Sequence, residues 1–329
     1  MRRISRNLKL FALAALGFAC APAAAADFPT RPITVIVPYA PGGPSDIAMR
    51  TIADRMSQAL GQSLVTENVP GAGGMIGAAK LARSAPDGYT MMIHQNGLVI
   101  APALYPKQSI DVEKELTAVG LVNTSYSFLV GSTKVPAKTL PELIAWMKGP
   151  AQPVKFAHPG IGTLAHLQAI IFAKDIGAEV TLIGYKGGGQ AMSDIVGGHA
   201  DLVWAAPTTS AELILAKKIQ GYGFGAPQRY PRLPEIPTMG QSGYPNLDIP
   251  FWQALFVPAG TPKPIIDKLN AALRETLADE KIQKAYVERG VQAFPPDQLS
   301  PEAANAFVAA EAKKWGAVVR EANIQPEAN

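Results

Sequence analysis

The chain has 329 residues, 30 basic against 26 acidic, with a formal charge of +4 and one cysteine. With 48% hydrophobic and 17% charged residues it has the composition of a folded globule, long enough for two domains, and no nucleic-acid-reading motif occurs in it. Four of the 30 basic residues and none of the 26 acidic ones lie in the first 26 positions. The rest of the chain therefore carries 26 of each, and the excess that would favour a polyanionic partner disappears.

Residues 1–26 are predicted to be a secretory signal peptide. Arg2, Arg3, Arg6 and Lys9 precede an apolar run from Leu10 to Phe18, and Ala24-Ala25-Ala26 offers a small-residue cleavage site before Asp27. The run is shorter than the roughly 18 residues of a spanning helix. Gly17-Phe18-Ala19 ahead of Cys20 lacks the leucine of a lipoprotein signal, so simple cleavage near Ala26 is expected. The exported chain would then hold no cysteine and rely on its core rather than on disulfides.

Behind the leader, Ile33 to Val37 is a β-branched run that reads as a buried strand. Pro38 stops it, Gly42 and Gly43 open a turn, and Ser45 and Asp46 start a helix on which Ala48, Ile52, Met56 and Leu60 fall four apart before Gly61. A glycine turn between a strand and a helix N-terminus leaves backbone N–H groups at the positive end of the helix dipole, which suits a carboxylate or phosphate. Next come a strand in SLVTENV, a short helix from Met75 to Ala82 and a third strand in PDGYTMMIH. A second set begins near Phe128: strand SFLVGS, helix TLPELIAWMKG, strand VKFAH, a helix from Thr163 to Ile176, strand EVTLIGY, a helix from Gln190 to Val196 and strand ADLVWAA. GYPNLDIPFWQALFVPAGTP reads as strand and connector. The C-terminal part is helical, with Ile266, Leu269, Leu273 and Leu277 along one face. Strands alternating with helices predict mostly parallel sheets. No flexible linker separates the two sets, which fits two lobes joined by crossing strands, near Val122–Phe128 and Ile249–Phe256. The expected division is lobe 1 over 27–123 plus 249–329 and lobe 2 over 124–248.

Four glycine-bearing turns follow predicted strands: PYAPGGPSD, HQNG at 94–97, HPGIGTLAH at 158–166 and YKGGGQAMSD at 185–194. In open α/β sheets ligands bind beyond the carboxyl ends of strands, and two such loops from each lobe suggest a cleft. Gly160, Gly162 and Ala165 match G-x-G-x-x-A, but a dinucleotide site needs an acid ending the next strand, and Glu179 precedes that strand instead. A helix N-terminus capped by Thr163 is the stronger reading. Asp46 is either a first-turn acid stabilised by the helix dipole or a cleft group accepting from a ligand donor. Tyr39 and Trp252 are either cleft walls or lobe packing. His94, His158, His166 and His199 show no metal spacing, no nucleophile elbow occurs, and no cofactor, metal or catalytic set is expected.

These residues resemble the Bug family, the TctC-like extracytoplasmic solute receptors of tripartite tricarboxylate transporters. The resemblance runs through PTRPITVIVPYAPGGPSDIAMR, VTENVPGAGGMIGAAKLARSAPDGYTMMI, GTLAHL, YKGGGQAMSDIVGGHADL and WQALFVPAGTPKPIIDKLN. It implies a two-lobed periplasmic-binding-protein (Venus flytrap) α/β fold, each lobe a mostly parallel sheet flanked by helices, closing on a small carboxylated solute. By resemblance Tyr39, Pro41, Gly42, Gly43, Ser45 and Asp46 form the first ligand loop, Gly162 and Thr163 the helix start, and Tyr185, Lys186 and Gly187 the third loop. Asn96, a further expected ligand residue, lies in the loop HQNGLVIAP, which departs from the family by Ala101 in place of an asparagine and by the bulkier His94 and Gln95. Tyr39 stands where phenylalanine is common and is expected to add a hydroxyl to the cleft. The implied function is a monomeric receptor without chemistry, handing its solute to a membrane permease of the tripartite tricarboxylate type. The rivals are a receptor for a membrane sensor kinase and an exported hydrolase or isomerase.

Overall fold

The computed structural model describes residues 28–105, 110–149 and 153–321. The expected signal peptide lies outside the described residues. Ile33 to Val37 is a strand, β1 (Ile33–Val37), and the next segment a helix, α1 (Pro44–Leu60), which Gly61 ends in the left-handed conformation. The four-residue spacing of Ala48, Ile52, Met56 and Leu60 places all four in the core. There follow β2 (Leu64–Asn68), α2 (Met75–Ala82), β3 (Thr90–Gln95), α3 (Gly97–Leu104), the single turn α4 (Val112–Glu115) and β4 (Leu116–Ser125). The second set comprises β5 (Phe128–Ser132), α5 (Leu140–Met147), β6 (Val154–His158), α6 (Leu164–Ile176), β7 (Val180–Gly184), α7 (Gly188–Gly197), β8 (Leu202–Ala205), α8 (Pro207–Leu215) and β9 (Ile219–Phe224). The chain ends with β10 (Phe251–Pro258), α9 (Lys263–Ala278), α10 (Glu280–Glu288) and α11 (Pro301–Glu321).

The strands form two five-stranded sheets, ordered β2-β1-β3-β10-β4 and β7-β6-β8-β5-β9. Each is parallel except for one strand in fourth place: β10 runs against β3 and β4, and β5 against β8 and β9. Topology dictates this. β4 carries the chain towards the other lobe, and β5 begins after only Tyr126 and Ser127, so it must run away from the boundary that β4 approached. β10 returns in the same way after β9. Each sheet thus points the carboxyl ends of its parallel strands at the other lobe.

The core of the first lobe is one cluster joining its sheet to α1, α2, α3, α9 and α11, while the second lobe has a cluster on each face of its sheet. Trp252 belongs to the first core. Its ring meets Phe307 edge-on at 5.4 Å, and its indole N–H donates to Glu311 Oε2 at 2.9 Å. Trp315 donates to the same oxygen at 2.9 Å, and Lys314 pairs with Oε1 at 3.0 Å. α3 occupies the stretch expected to be a loop after β3. Leu98, Val99, Ile100, Ala101 and Leu104 are all buried, so no polar face marks the helical period, and Pro102 sits inside it.

A buried carboxylate serving two indole donors is costly to remove. Glu311→Ala leaves both N–H groups without an acceptor and should lower unfolding stability by about 3 kcal/mol. Glu311→Gln keeps an acceptor and should recover part of it. Urea titrations of both variants measure the difference.

Candidate functional site

At the first loop, Gly42 adopts φ +80° and its N–H donates to Asp46 Oδ2 at 3.0 Å. Arg50 Nε donates to the same oxygen at 2.9 Å, and Asn68 Nδ2 donates to Oδ1 at 3.1 Å while also reaching the Tyr39 carbonyl at 3.0 Å. Burial pushes the Asp46 carboxyl up, but these donors outweigh it and hold it below the usual carboxylate range. Both carboxylate oxygens are engaged in shaping the loop. Tyr39 is similar. Its buried hydroxyl donates to the Gly73 carbonyl at 3.0 Å, tying two loops of one lobe together rather than presenting itself freely to the cleft, and burial raises its pKa.

The lobes touch through backbone. Ala40 N donates to the Lys186 carbonyl at 2.9 Å. A Cβ on Gly187 would stand 3.0 Å from Ala40 N, and one on Gly189 3.0 Å from the Pro41 carbonyl. On the other side of the cleft Gly73, at φ +63°, lies so close to the second lobe that its Cβ would fall 2.0 Å from the Ile161 carbonyl. Gly162, at φ +79°, packs on Ala101 of α3.

Between these contacts is a cavity of 40 Å³. Pro44 and Ser45 line it from α1, Thr163, Leu164 and Ala165 from the start of α6, Gly188 from α7, and Ala206 and Thr209 from the start of α8. Tyr39, Gln95 and Ser127 also line it, and Phe251 and Trp204 add apolar area. Ser45 Oγ accepts from Gln253 Nε2 at 2.8 Å, which leaves its own proton to donate. The lining residues include no acid, no base and no histidine. Four helix N-termini converge there instead. Thr163 caps α6, its Oγ1 accepting from His166 N at 3.4 Å, whereas α1, α7 and α8 have no side-chain cap. Pro44 and Pro207 leave α1 and α8 without a donor at their first position, and Thr209 N already donates to the Ala206 carbonyl at 3.0 Å. The donors left to an anion are the other first-turn N–H groups, and each terminus carries roughly half a positive charge.

Of the residues expected from sequence, Tyr39, Ser45 and Thr163 line the cavity. Gly43, Gly187 and the Lys186 backbone lie in the interlobe seam, and Pro41 and Gly42 shape the first loop's exposed turn. Two expected residues point elsewhere. Asn96 uses both ends of its amide on the other crossing, donating to the Pro250 carbonyl at 3.1 Å and accepting from Trp252 N at 3.0 Å. The Tyr185 hydroxyl donates to Asp194 at 2.6 Å within its own lobe, and burial together with that carboxylate pushes it up to about 12. Sequence reasoning missed Ser127, Thr209 and the α8 start. The signal for the last was present: Pro207 directly after a strand is a helix-first-position proline.

His94 and His166 are buried beside these loops. His94 Nδ1 accepts from Gln95 N at 2.8 Å and its ring meets Tyr39 at 5.7 Å, while His166 Nδ1 accepts from Gly162 N at 3.3 Å. Burial lowers both to about 4, so both rings are neutral and act as loop supports.

This is the geometry of a two-lobed binding protein. The profile of the tripartite tricarboxylate transporter family receptor (TctC) matches residues 48–324. Protein BugT of Bordetella pertussis is 33% identical, with 98% of each chain covered. A UPF0065 protein from Agrobacterium vitis is 34% identical over 90% of this chain and 86% of its own. Among solved structures, the periplasmic binding protein BugD superposes with a TM-score of 0.88 at 33% identity, covering 91% of this chain and 100% of its own. MatC from Rhodopseudomonas palustris, with bound malate, gives 0.85 at 31%, covering 89% and 100%. A second R. palustris protein, with adipate, gives 0.86 at 28%, covering 92% and 100%. The chain belongs to the TctC receptor family, whose members are periplasmic solute-binding proteins. Among the described residues no helix is long and apolar enough to cross a membrane.

Two outcomes are expected. Gly73→Ala cannot close, because its methyl would occupy the position of the Ile161 carbonyl; it should fold yet lose ligand binding. Gly177→Ala, equally left-handed at φ +66° but with open space around it, should lose only about 1 kcal/mol of stability and keep binding. Calorimetric titration of both separates closure from strain. The second outcome concerns pH. Both histidines bind protons more weakly folded than unfolded, so stability is full above pH 6.5 and is lost as pH falls towards 4, by up to about 1.4 kcal/mol per unit for each. Melting temperatures across that range, with a flatter profile for His94→Gln, check it.

Proposed function

We propose that this receptor captures a small carboxylated solute between its lobes, performs no chemistry on it, and presents the closed form to a membrane permease of the tripartite tricarboxylate type. The observation that carries the reading is the cavity's source of positive potential. Three uncapped helix N-termini together offer roughly one and a half charges, enough for one or two carboxylates, without a lysine or arginine to attract other anions from a distance. The malate held by one neighbour and the adipate held by another support this class of ligand.

The division into lobes at 27–123 plus 249–329 and at 124–248 belongs to the same proposal. The ligand touches both lobes only when they meet, so its contacts favour closure. The first loop, with Tyr39, Pro41, Gly42, Gly43, Ser45 and Asp46, the α6 start at Gly162 and Thr163, and the seam at Lys186 and Gly187 form the binding apparatus. Asn96 and Tyr185 act from behind it. A binding role is favoured over hydrolysis because the one serine at an uncapped helix start, Ser45, is met by the Gln253 amide and not by a base. Delivery is expected from the periplasm, as a monomer.

A thermal-shift panel on the chain from Asp27 onward tests this. It would span mono-, di- and tricarboxylates, amino acids, sugars and nucleotides. A carboxylate at 100 times its Kd should add about 2.7 kcal/mol of stability and be recovered unchanged. A shift only with sugars or nucleotides, or a ligand recovered altered, would sink the proposal.

A further inference from the structure

Pro44, Ala206 and Phe251, which line the main cavity, also wall a second chamber of 20 Å³ behind it. Thr208 at the start of α8 faces this chamber from the second lobe, and Tyr286 of α10 and Asn123 of β4 face it from the first. The Thr208 hydroxyl oxygen is buried and lacks a hydrogen-bond partner among the described residues, and the buried Tyr286 hydroxyl lies near the Asn123 side chain without a bond of full hydrogen-bond geometry to it. Buried hydroxyls are rarely left unmet, and a polar chamber larger than about 10–15 Å³ with two to four polar partners is the setting in which a protein encloses a water. Directly outside, Arg232 of the second lobe donates to the Glu288 carbonyl, the last residue of α10, at 3.0 Å and pairs with Glu212 at 2.7 Å. A cation there also meets the negative end of the α10 dipole. Arg289 holds the same helix end to its own lobe through Thr51 at 2.7 Å. The end of α10 is therefore anchored in one lobe and gripped from the other.

We propose that the α10 end is a second closure contact, separate from the solute cavity, in which one enclosed water joins the Thr208 and Tyr286 hydroxyls and Arg232 grips the helix from outside. It rests on the hinged two-lobe reading above, but it needs no solute. The contact holds a fraction of the protein closed before any carboxylate arrives. Apparent affinity scales with the fraction of receptor in the competent state, so this contact sets affinity without touching the ligand.

The test is made without ligand. The only cysteine of the chain is Cys20 in the leader, so the chain from Asp27 onward accepts a clean label pair. Ile76→Cys on α2 and Val196→Cys on α7, both exposed, place spin labels on the two lobes. Pulsed dipolar spectroscopy of protein stripped by unfolding and refolding reads the closed and open populations. The expected result is a closed population in the labelled parent that falls about fivefold relative to the open one in Tyr286→Phe and in Thr208→Val. The double variant should fall no further, because both hydroxyls share one water. Arg232→Ala should reduce the closed fraction about twofold. A fully open parent overturns the proposal. So does a closed population that stays the same or rises in Tyr286→Phe, as removal of an unmet hydroxyl would produce. If Tyr286→Phe fails to fold, Thr208→Val decides alone. An unresponsive carboxylate panel would count against the solute class and leave this result intact.

Discussion

Closure depends on how near two backbones can come, and in this protein they come as near as peptide groups allow. Ala40 and Lys186 share a hydrogen bond across the boundary, and at Gly73 even a methyl group would collide with the opposite carbonyl. Such an approach requires loops that hold their shape before the lobes meet. Asp46 supplies this for the first loop by binding Gly42, Arg50 and Asn68, and Tyr39 supplies it for the second by binding Gly73. The polar side chains that look most like ligand groups are thus used to fix backbone, and on the proposed function the backbone is left to do the binding. Preordered loops cost little to order at the moment of binding, which keeps more of the contact energy for affinity.

The electrostatics follow the same arrangement. No formal charge lines the cavity, and the two neighbouring histidines are kept neutral by burial. Helix termini supply the positive potential instead, through fixed N–H groups whose direction does not change as the solute arrives. A lysine would bring a stronger field, but on a flexible stem, and would have to be desolvated on closure. Fixed dipoles favour anions that fit the geometry of the N–H groups. On the proposed function, the spacing between the α1, α7 and α8 termini becomes the measure of the ligand, a property of helix placement more than of any single side chain.

Much of this was legible in the chain. The unbroken β-branched run at Ile33 to Val37 occurs as a buried strand, and the stripes on α1 and from Ile266 to Leu277 on α9, spaced three or four residues apart, occur as buried helix faces. The glycine loops were legible because a strand, a glycine and a helix start in succession allow few conformations. What escaped did so for identifiable reasons. α3 is apolar on all sides and shows no period, β9 (IQGYGF) contains one β-branched residue and two glycines, and β4 passes directly into the crossing. Asn96 illustrates the limit for sites. A polar residue after a strand at the cleft reads as a ligand group, and only the strand order, with β10 beside β3, shows that its amide is taken by the chain at Pro250 and Trp252.

On the proposed function, the two crossings give a bound solute a means of moving the lobes. Between β4 and β5 there are two residues, and the second, Ser127, lines the cavity. Its carbonyl accepts from Gly225 N at 2.8 Å, at the exit of β9, and Thr124 Oγ1 donates to the Phe251 carbonyl at 3.1 Å, at the start of β10. The crossings are therefore bonded to each other and bend as one unit, and Phe251 also lines the cavity. A bound solute would press on the hinge itself as well as on the loops the hinge carries. Displacements at the pivot are small, but they are multiplied by the length of each lobe before they reach the seam at Ala40 and Gly73. A ligand that fills the pivot correctly sets the angle at which the two glycine surfaces can meet, and one that fills it badly leaves them apart.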